Sequence, residues 1–382
     1  MKRMLTAALA LCLLWQGIPT AFAAEEKVKS SGVEVAAKSV ILVERETGTV
    51  LYQQAEHEQL EPASVTKVMT MLLVAEAIDS GQISPDDQVT CSAYAASMGG
   101  SQVYLEEGEQ ISVHDLLKAV AVASGNDAAV ALAEYVAGSE QAFVEKMNQR
   151  AAELGMKDTH FCNCNGLPAE GHVTSAYDIA LMSCQLLKHD LIREYTGTWM
   201  DTIRDGEFQL ANTNKLIYYY DGATGLKTGS TQGAGFCISA SAMRNGMELI
   251  AVVLGSETSS DRFESAKTLL NYGFGGWAMA EAAPAEPIQA VPVTLGTADT
   301  VQPVLQSSPR LLVTRDQLGQ VTSQVTLAET VEAPVHAGDV LGTLTVSVGE
   351  QAVQEIPLVA AEDVPRLTFG QIFQQMLGEM AG

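Results

Sequence analysis

Between residues 24 and 277, strand patterns stand at both ends of the chain and a long block of helical period lies between them. Residues 39–43 and 50–52 are apolar runs around Glu46-Thr47-Gly48, the pattern of a β-hairpin. Strands return at residues 226–228 and 236–242. Residues 247–254 follow across Asn245-Gly246, a strong signal for a tight hairpin turn. Helical spacing marks residues 113–122, 127–136, 143–154 and 174–187, and residues 262–272 read as a helix after the last strand. Sheet, helical block, sheet is an α+β layout, with the N- and C-terminal strands sharing one antiparallel sheet.

The two ends of the chain differ from this middle. Lys2 and Arg3 precede a twelve-residue apolar run, Gly17 and Pro19 break it, and Ala21-Phe22-Ala23 offers a small-x-small cleavage site. Residues 1–23 are therefore expected to be a signal peptide that exports the protein to the outer face of the cytoplasmic membrane or the cell wall. The run is short of the ~20 apolar residues that a membrane span needs. At the other end, residues 278–292 are rich in Ala, Glu and Pro and read as a linker. Residues 293–362 alternate as short strands and predict a small all-β domain. Residues 363–382 read as an amphipathic helix, with Leu367, Phe369, Ile372, Phe373, Met376, Leu377 and Met380 on one face. Such a stripe can lie flat on a membrane surface.

The formal charge is −24, and removal of Lys2 and Arg3 with the leader takes it to −26. That charge repels nucleic acid, so no nucleic-acid partner is expected. Five cysteines follow the leader: Cys91, Cys162, Cys164, Cys184 and Cys237. An odd number leaves at least one thiol without a partner in the chain. His160-Phe161-Cys162-Asn163-Cys164 has C-x-C spacing with no second ligand pair, so neither a metal nor a cofactor is expected.

Three short signatures stand in order: Ser64-Val65-Thr66-Lys67, Ser124-Gly125-Asn126 and Lys227-Thr228-Gly229. Singly each is weak, for Ser64 can be a helix cap and the other two a turn and a strand end. Their order, spacing and contexts carry the argument. Ser64 is expected to open a helix whose buried face is Val68, Met69, Leu72 and Leu73. Lys67 then reaches Ser64 one turn later. A hydroxyl needs a base to attack, and a lysine is a base only if its pKa falls, through burial or a neighbouring cation such as Lys227. The Ser64 amide lies among the unpaired donors of a first helical turn and can hold an oxyanion. Ser124 can relay a proton, and Asn126 can clamp a substrate amide. Gly229 clears the strand edge for an extended ligand, with the Ser230 amide as second oxyanion donor. Lys227 and Thr231 are placed to bind a terminal carboxylate, with Thr228 between them.

On these residues the chain resembles the low-molecular-mass penicillin-binding proteins, the serine-type D-alanyl-D-alanine carboxypeptidases. Pro62-Ala63-Ser64-Val65-Thr66-Lys67-Val68-Met69-Thr70 is similar to that family's nucleophile segment. Val122-Ala123-Ser124-Gly125-Asn126-Asp127-Ala128-Ala129 and Thr224-Gly225-Leu226-Lys227-Thr228-Gly229-Ser230-Thr231 fit the other two. Gly171-His172, Ala176-Tyr177-Asp178 and Arg262-Phe263 also fit. The resemblance implies a β-lactamase/DD-peptidase-like catalytic domain that removes the terminal D-alanine of a peptidoglycan stem peptide through an acyl-enzyme on Ser64. Lys67 would be the base, Ser124 the proton shuttle, and Lys227 and Arg262 the carboxylate partners. β-Lactams would inhibit by acylating Ser64. Ser230 departs from the larger residue frequent after Lys-Thr-Gly. A class A-like β-lactamase would have Ser-Asp-Asn and an activating glutamate, where this chain has Gly125 and no evident Glu-x-x-x-Asn loop. A catalytically silent wall-binding module would not need every reactive residue.

Overall fold

The computed structural model describes residues 32–374. The expected signal peptide and residues 375–382 of the expected C-terminal helix lie outside the described residues. By internal contacts the chain forms two units, one of residues up to 244 with 248–273, the other of residues 245–247 with those from 274 onward.

The first unit is built on a five-stranded sheet. Its strands are β1 (Ser39–Glu44), β2 (Val50–Gln54), β3 (Ala223–Thr231), β4 (Gly235–Arg244) and β5 (Met247–Ser256), in the order β2-β1-β5-β4-β3. β1 pairs with both β2 and β5, with Ile41 opposite Gln53 and Val252. Asn245 and Gly246 both take positive φ, 49° and 75°, which is what a tight two-residue hairpin demands. β3 stands at one edge of the sheet and, among the described residues, pairs with β4 alone.

The helical block comprises α1 (Lys67–Asp79), α2 (Val113–Ala121), α3 (Asn126–Ala137), α4 (Glu140–Glu153) and α5 (Ala176–Leu186). Ser112, Ser139 and Ser175 cap α2, α4 and α5 through their hydroxyls. Gly138, at φ 83°, ends α3 in the left-handed conformation that glycine favours. α1 departs from the expected single buried face. Val68, Met69, Met71, Leu72, Val74 and Ala75 are all buried, while Leu73 is only partly so. A helix apolar on every side runs through a core instead of over it. A further helix, α6 (Ser259–Gly276), follows the sheet.

The second unit is mainly β up to Arg366. A four-stranded sheet is made by Pro303–Leu305, Gln351–Ala360, Val340–Val348 and Val321–Leu327, and a three-stranded one by Thr300–Val301, Val291–Thr294 and Val331–Glu332. Leu344, Val346 and Ile356 point into one core; Val291, Val301, Val335 and Leu341 fill another. The expected linker at 278–292 is shorter than the composition suggested. Trp277–Glu281 is a strand paired with Arg310–Thr314, and Val291 already belongs to a sheet. Ala278, Ala280 and Ala282 hid this strand, because alanine alternation carries little hydrophobic contrast. Beyond Leu367, whose amide donates to Leu295, a helix begins in which Phe369 is 84% exposed.

Candidate active site

Ala63–Thr66 is a single turn of 3-10 helix that runs directly into α1 at Lys67. Ser64 therefore sits one turn before Lys67, though in a tighter helix than expected. Lys67 Nζ lies 3.0 Å from Ser64 Oγ, 2.6 Å from Asn126 Oδ1 and 2.6 Å from the Asn165 carbonyl. The Asn126 amide is oriented by its Nδ2, which donates to the Gly99 carbonyl at 2.7 Å. Two of the three lysine partners are thus oxygens that only accept. A neutral amine has two N–H donors and one lone pair; the carbonyls use the donors, and the lone pair is left facing the Ser64 hydroxyl.

Lys67 is fully buried, and burial pulls its pKa down to about 7 against the opposing influence of Cys164 and Asp127. The neighbouring cation expected from the sequence is not what lowers it. The influence runs the other way: Lys227, also fully buried, is held well below the ordinary lysine range by burial first, then by Lys67 and Arg262.

The Asn165 carbonyl is the partner that the sequence did not signal, because a main-chain oxygen belongs to every residue type. It is presented by a turn in which Asn163 Oδ1 accepts from the amides of Asn165 and Gly166, at 3.3 and 2.7 Å. Gly166 takes φ 86°, and a Cβ there would lie 1.9 Å from the Ala63 carbonyl oxygen. The turn therefore packs backbone to backbone on the Ser64 segment. Asn-x-Asn-Gly is a turn signature that could have marked it. Glu140 Oε1 accepts from the Cys164 amide at 3.0 Å, and Thr70 Oγ1 donates to the Cys164 carbonyl at 2.5 Å. His172 completes the support. Its Nδ1 accepts from the Cys162 amide at 3.0 Å, so Nε2 carries the hydrogen directed at Thr66 Oγ1, 2.8 Å away. Burial lowers its pKa to about 4.

Ser124 is buried and takes a left-handed φ of 63° between α2 and α3. Gly125 donates to the Ala119 carbonyl and Asn126 to the Ser101 carbonyl, so the backbone on its C-terminal side is fixed. Asp127, also buried, accepts from the amides of Val103 and Leu105 and ties down the loop beside Asn126. Among the described residues, Ser124 Oγ makes no hydrogen bond to Ser64 or Lys67.

β3 passes alongside. A Cβ at Gly229 would meet the Ser64 amide nitrogen at 2.7 Å and the Pro62 carbonyl at 2.9 Å. The room expected there for a ligand is filled by the Ser64 turn itself, and the glycine is needed for that contact. Lys227 Nζ donates to the Thr228 carbonyl at 2.9 Å, and Thr228 Oγ1 to Thr213 Oγ1 at 2.7 Å. Ser230 is exposed. Thr231 Oγ1 accepts from the Ala234 amide at 2.9 Å and lies 3.4 Å from Glu61 Oε2. An acid thus stands where a carboxylate-binding hydroxyl was expected. Arg262 is buried against the same strand. Its Nη1 donates to the carbonyls of Gly229 and Cys237, at 3.0 and 3.3 Å, and its guanidinium lies over Phe263, 4.7 Å from the ring centre. Burial lowers its pKa to about 10. The five cysteines among the described residues are all free thiols. Among the described residues no group of three or more His, Cys, Asp or Glu side chains is arranged to hold a metal ion.

A helix-start serine hydrogen-bonded to a buried amine whose pKa is about 7, next to an edge strand, is the equipment of a serine acyl-transfer hydrolase. The comparisons give that class its family. The D-alanyl-D-alanine carboxypeptidase model, peptidase family S11, matches residues 23–258, and the C-terminal domain model of penicillin-binding protein 5 matches residues 284–366. The chain belongs to the D-alanyl-D-alanine carboxypeptidases of the penicillin-binding protein type, serine hydrolases. It is 40% identical to the D-alanyl-D-alanine carboxypeptidase DacF of Bacillus subtilis, over 99% of each chain. It is 35% identical to DacC of Escherichia coli, over 91% of this chain and 88% of that one. The crystal structure of penicillin-binding protein 5 from Haemophilus influenzae superposes with a TM-score of 0.71 at 29% identity, over 87% of this chain and 98% of that one. Penicillin-binding protein D2 from Listeria monocytogenes in its ampicillin-bound form gives 0.59 at 32% identity, over 63% and 99%.

Proposed function

We propose that the protein removes the terminal D-alanine of peptidoglycan pentapeptides through an acyl-enzyme on Ser64. The observation that carries this reading is the 3.0 Å contact between Lys67 Nζ and Ser64 Oγ, made by an amine whose pKa is about 7. Lys67 takes the Ser64 hydroxyl proton while Oγ attacks the carbonyl carbon of the penultimate D-alanine. The amides of Ser64 and Ser230 hold the oxyanion. The C–N bond breaks, the leaving amine takes a proton by way of Ser124, and D-alanine departs. Water, deprotonated by Lys67, then cleaves the Ser64 ester and restores the hydroxyl.

Asn126 holds both the amine and the substrate amide. Lys227 pairs with the terminal carboxylate, and that pairing restores the ammonium which burial disfavours in the empty site. Thr228 and Thr231 line the same strand. Arg262 acts through the strand, since its hydrogen bonds go to the Gly229 and Cys237 carbonyls. β-Lactams acylate Ser64 in place of the peptide. Export by residues 1–23 and peripheral attachment through the C-terminal helix put the enzyme beside its polymer. No helix among the described residues is long and apolar enough to cross a membrane.

The test is mass spectrometry after incubation with penicillin and, separately, with a diacetylated Lys-D-Ala-D-Ala peptide. The expected results are a penicilloyl adduct on Ser64 and released D-alanine. An adduct elsewhere, or rapid penicillin turnover with no D-alanine released, overturns the proposal.

A further inference from the structure

A groove of about 520 Å³ lies in the first unit between the short helix Leu216–Tyr219 and the start of α6, lined by Lys215, Tyr219, Ser259, Phe263 and Lys267 among others. Its volume falls in the range of small-ligand sites. The groove is tied on both sides to the strand that edges the catalytic cleft. On one wall Thr213 Oγ1 accepts from Thr228 Oγ1 at 2.7 Å, and Asn214 Nδ2 donates to the Gly225 carbonyl at 2.8 Å. On the other, Ser259 Oγ accepts from Arg262, which in turn donates to the Gly229 carbonyl.

From the mouth of this groove an aromatic surface runs outward. Tyr219 and Tyr218 stand edge to face, ring centres 4.8 Å apart, and Tyr218 lies 5.3 Å from Trp199. Tyr219 is 71% and Tyr218 63% exposed, and nearby in sequence Met200 is 60% exposed. Contiguous exposed rings of this kind are uncommon on a soluble surface and mark interaction sites. The phenol and indole edges stay hydrated while their faces offer flat apolar area. Sugar rings present the matching chemistry, with C–H groups on the pyranose faces and hydroxyls at the rim. Charge narrows the occupant. In a chain of formal charge −24 this groove carries two lysines and a single carboxylate, Glu264. Lys267 pairs with Glu264 at 3.0 Å, while Lys215 is exposed and has no ion-pair partner among the described residues.

We infer that this groove and the Trp199–Tyr218–Tyr219 surface form an accessory subsite for the glycan strand of peptidoglycan. The rings hold the sugars, and Lys215 meets carboxylates of the attached stems, while one stem end enters the cleft. The inference rests on the carboxypeptidase reading and adds that the preferred substrate is polymeric.

The test uses the full chain and insoluble, stem-bearing peptidoglycan. In a Ser64→Ala background, sedimentation with the polymer is compared with and without Tyr218→Ser plus Tyr219→Ser. Loss of ring stacking is expected to weaken binding about tenfold. In the Ser64 protein the same pair of substitutions should lower kcat/KM on the polymer about tenfold and leave the diacetylated tripeptide within about twofold. Lys215→Glu, at an exposed position, is a second variant expected to reduce polymer binding by charge reversal, with an unchanged thermal midpoint. Sedimentation unaffected by either change overturns the subsite. So does equal loss on tripeptide and polymer. If sedimentation depends on the tyrosines but no D-alanine is released by the unmodified protein, the carboxypeptidase reading fails and the subsite stands.

Discussion

Gly229 and Ser64 meet main chain to main chain: a single methyl on the glycine would fall 2.7 Å from the serine amide nitrogen. The nucleophile turn and the edge strand are thereby held at a separation that only glycine permits. Gly229→Ala forces them apart, and a shift of about 1 Å in a catalytic array costs about 100-fold in rate. The expected outcome is that much slower acylation by fluorescent penicillin, with a folded protein by circular dichroism. Acylation at the original rate would show that the contact has no catalytic consequence.

The Lys67 amine must be unprotonated to take a proton, and its pKa is about 7. The Ser64 acylation rate should therefore climb as pH rises through about 7, and fall below it, when followed over about pH 5 to 9. Lys67→Ala removes the proposed base and should cost about 10²–10⁴ in the same assay. A flat profile, or an active Lys67→Ala protein, would place the base elsewhere.

His172 gives the opposite kind of signal, one read in stability. Its ordinary value is 6.5 and its folded value about 4, so between the two the unfolded chain binds a proton that the folded chain does not. Its contribution is complete above 6.5 and is lost as pH falls toward 4, by about 3 kcal/mol in all. His172→Gln should be less stable than the parent at pH 7 by about 1–3 kcal/mol. The gap should narrow at about pH 4.5, because the variant lacks this proton uptake. Urea midpoints at the two pH values measure both effects, and a constant gap would contradict the assignment.

Glu248, on β5, is buried and carries three partners. Arg45 Nε lies 2.7 Å from it, Arg193 donates at 2.5 and 2.8 Å, and Thr224 Oγ1 donates at 3.1 Å. Thr224 belongs to β3, so this carboxylate also helps seat the strand that bears Lys227. Glu248→Ala should destabilise by about 3 kcal/mol, the lower end for a broken buried pair because both arginines reach solvent. Chemical denaturation checks it; a change below about 0.5 kcal/mol would mean that the network contributes nothing net.

The last described residues set where the C-terminal helix can be removed. Thr297 donates to the Pro365 carbonyl and Leu367 to the Leu295 carbonyl, and Val364 is buried. A chain shortened after Leu367 should therefore keep its second unit intact and lose association with lipid vesicles. Equal vesicle partitioning before and after shortening would dismiss the helix as an anchor.

Much of this was legible in the residues themselves. Asn245-Gly246 marked the hairpin, helical spacing marked the helices, and the Ser64-to-Lys67 interval gave the central contact. What was not legible depends on main-chain atoms and on tertiary burial. The Asn165 carbonyl that holds Lys67 has no residue type to advertise it. Burial and a neighbouring cation such as Lys227 were both open as causes of the lysine's lowered pKa, because charge is visible in a sequence whereas complete burial is not; burial proves to be the cause. Gly229 was read as clearance for a ligand, since nothing local reveals that Ser64 itself occupies that space. Residues 278–281 of the strand Trp277–Glu281 passed for linker because a strand made of alternating alanines lacks contrast.

The position of β3 at the rim of its sheet has a further consequence. A sheet interior is closed to newcomers, but a border strand keeps one row of amides and carbonyls that can zip onto any extended backbone. A transient sixth strand laid there would add main-chain bonds that no single side-chain replacement can delete. Excluding such a ligand would then take a reshaping of the border itself.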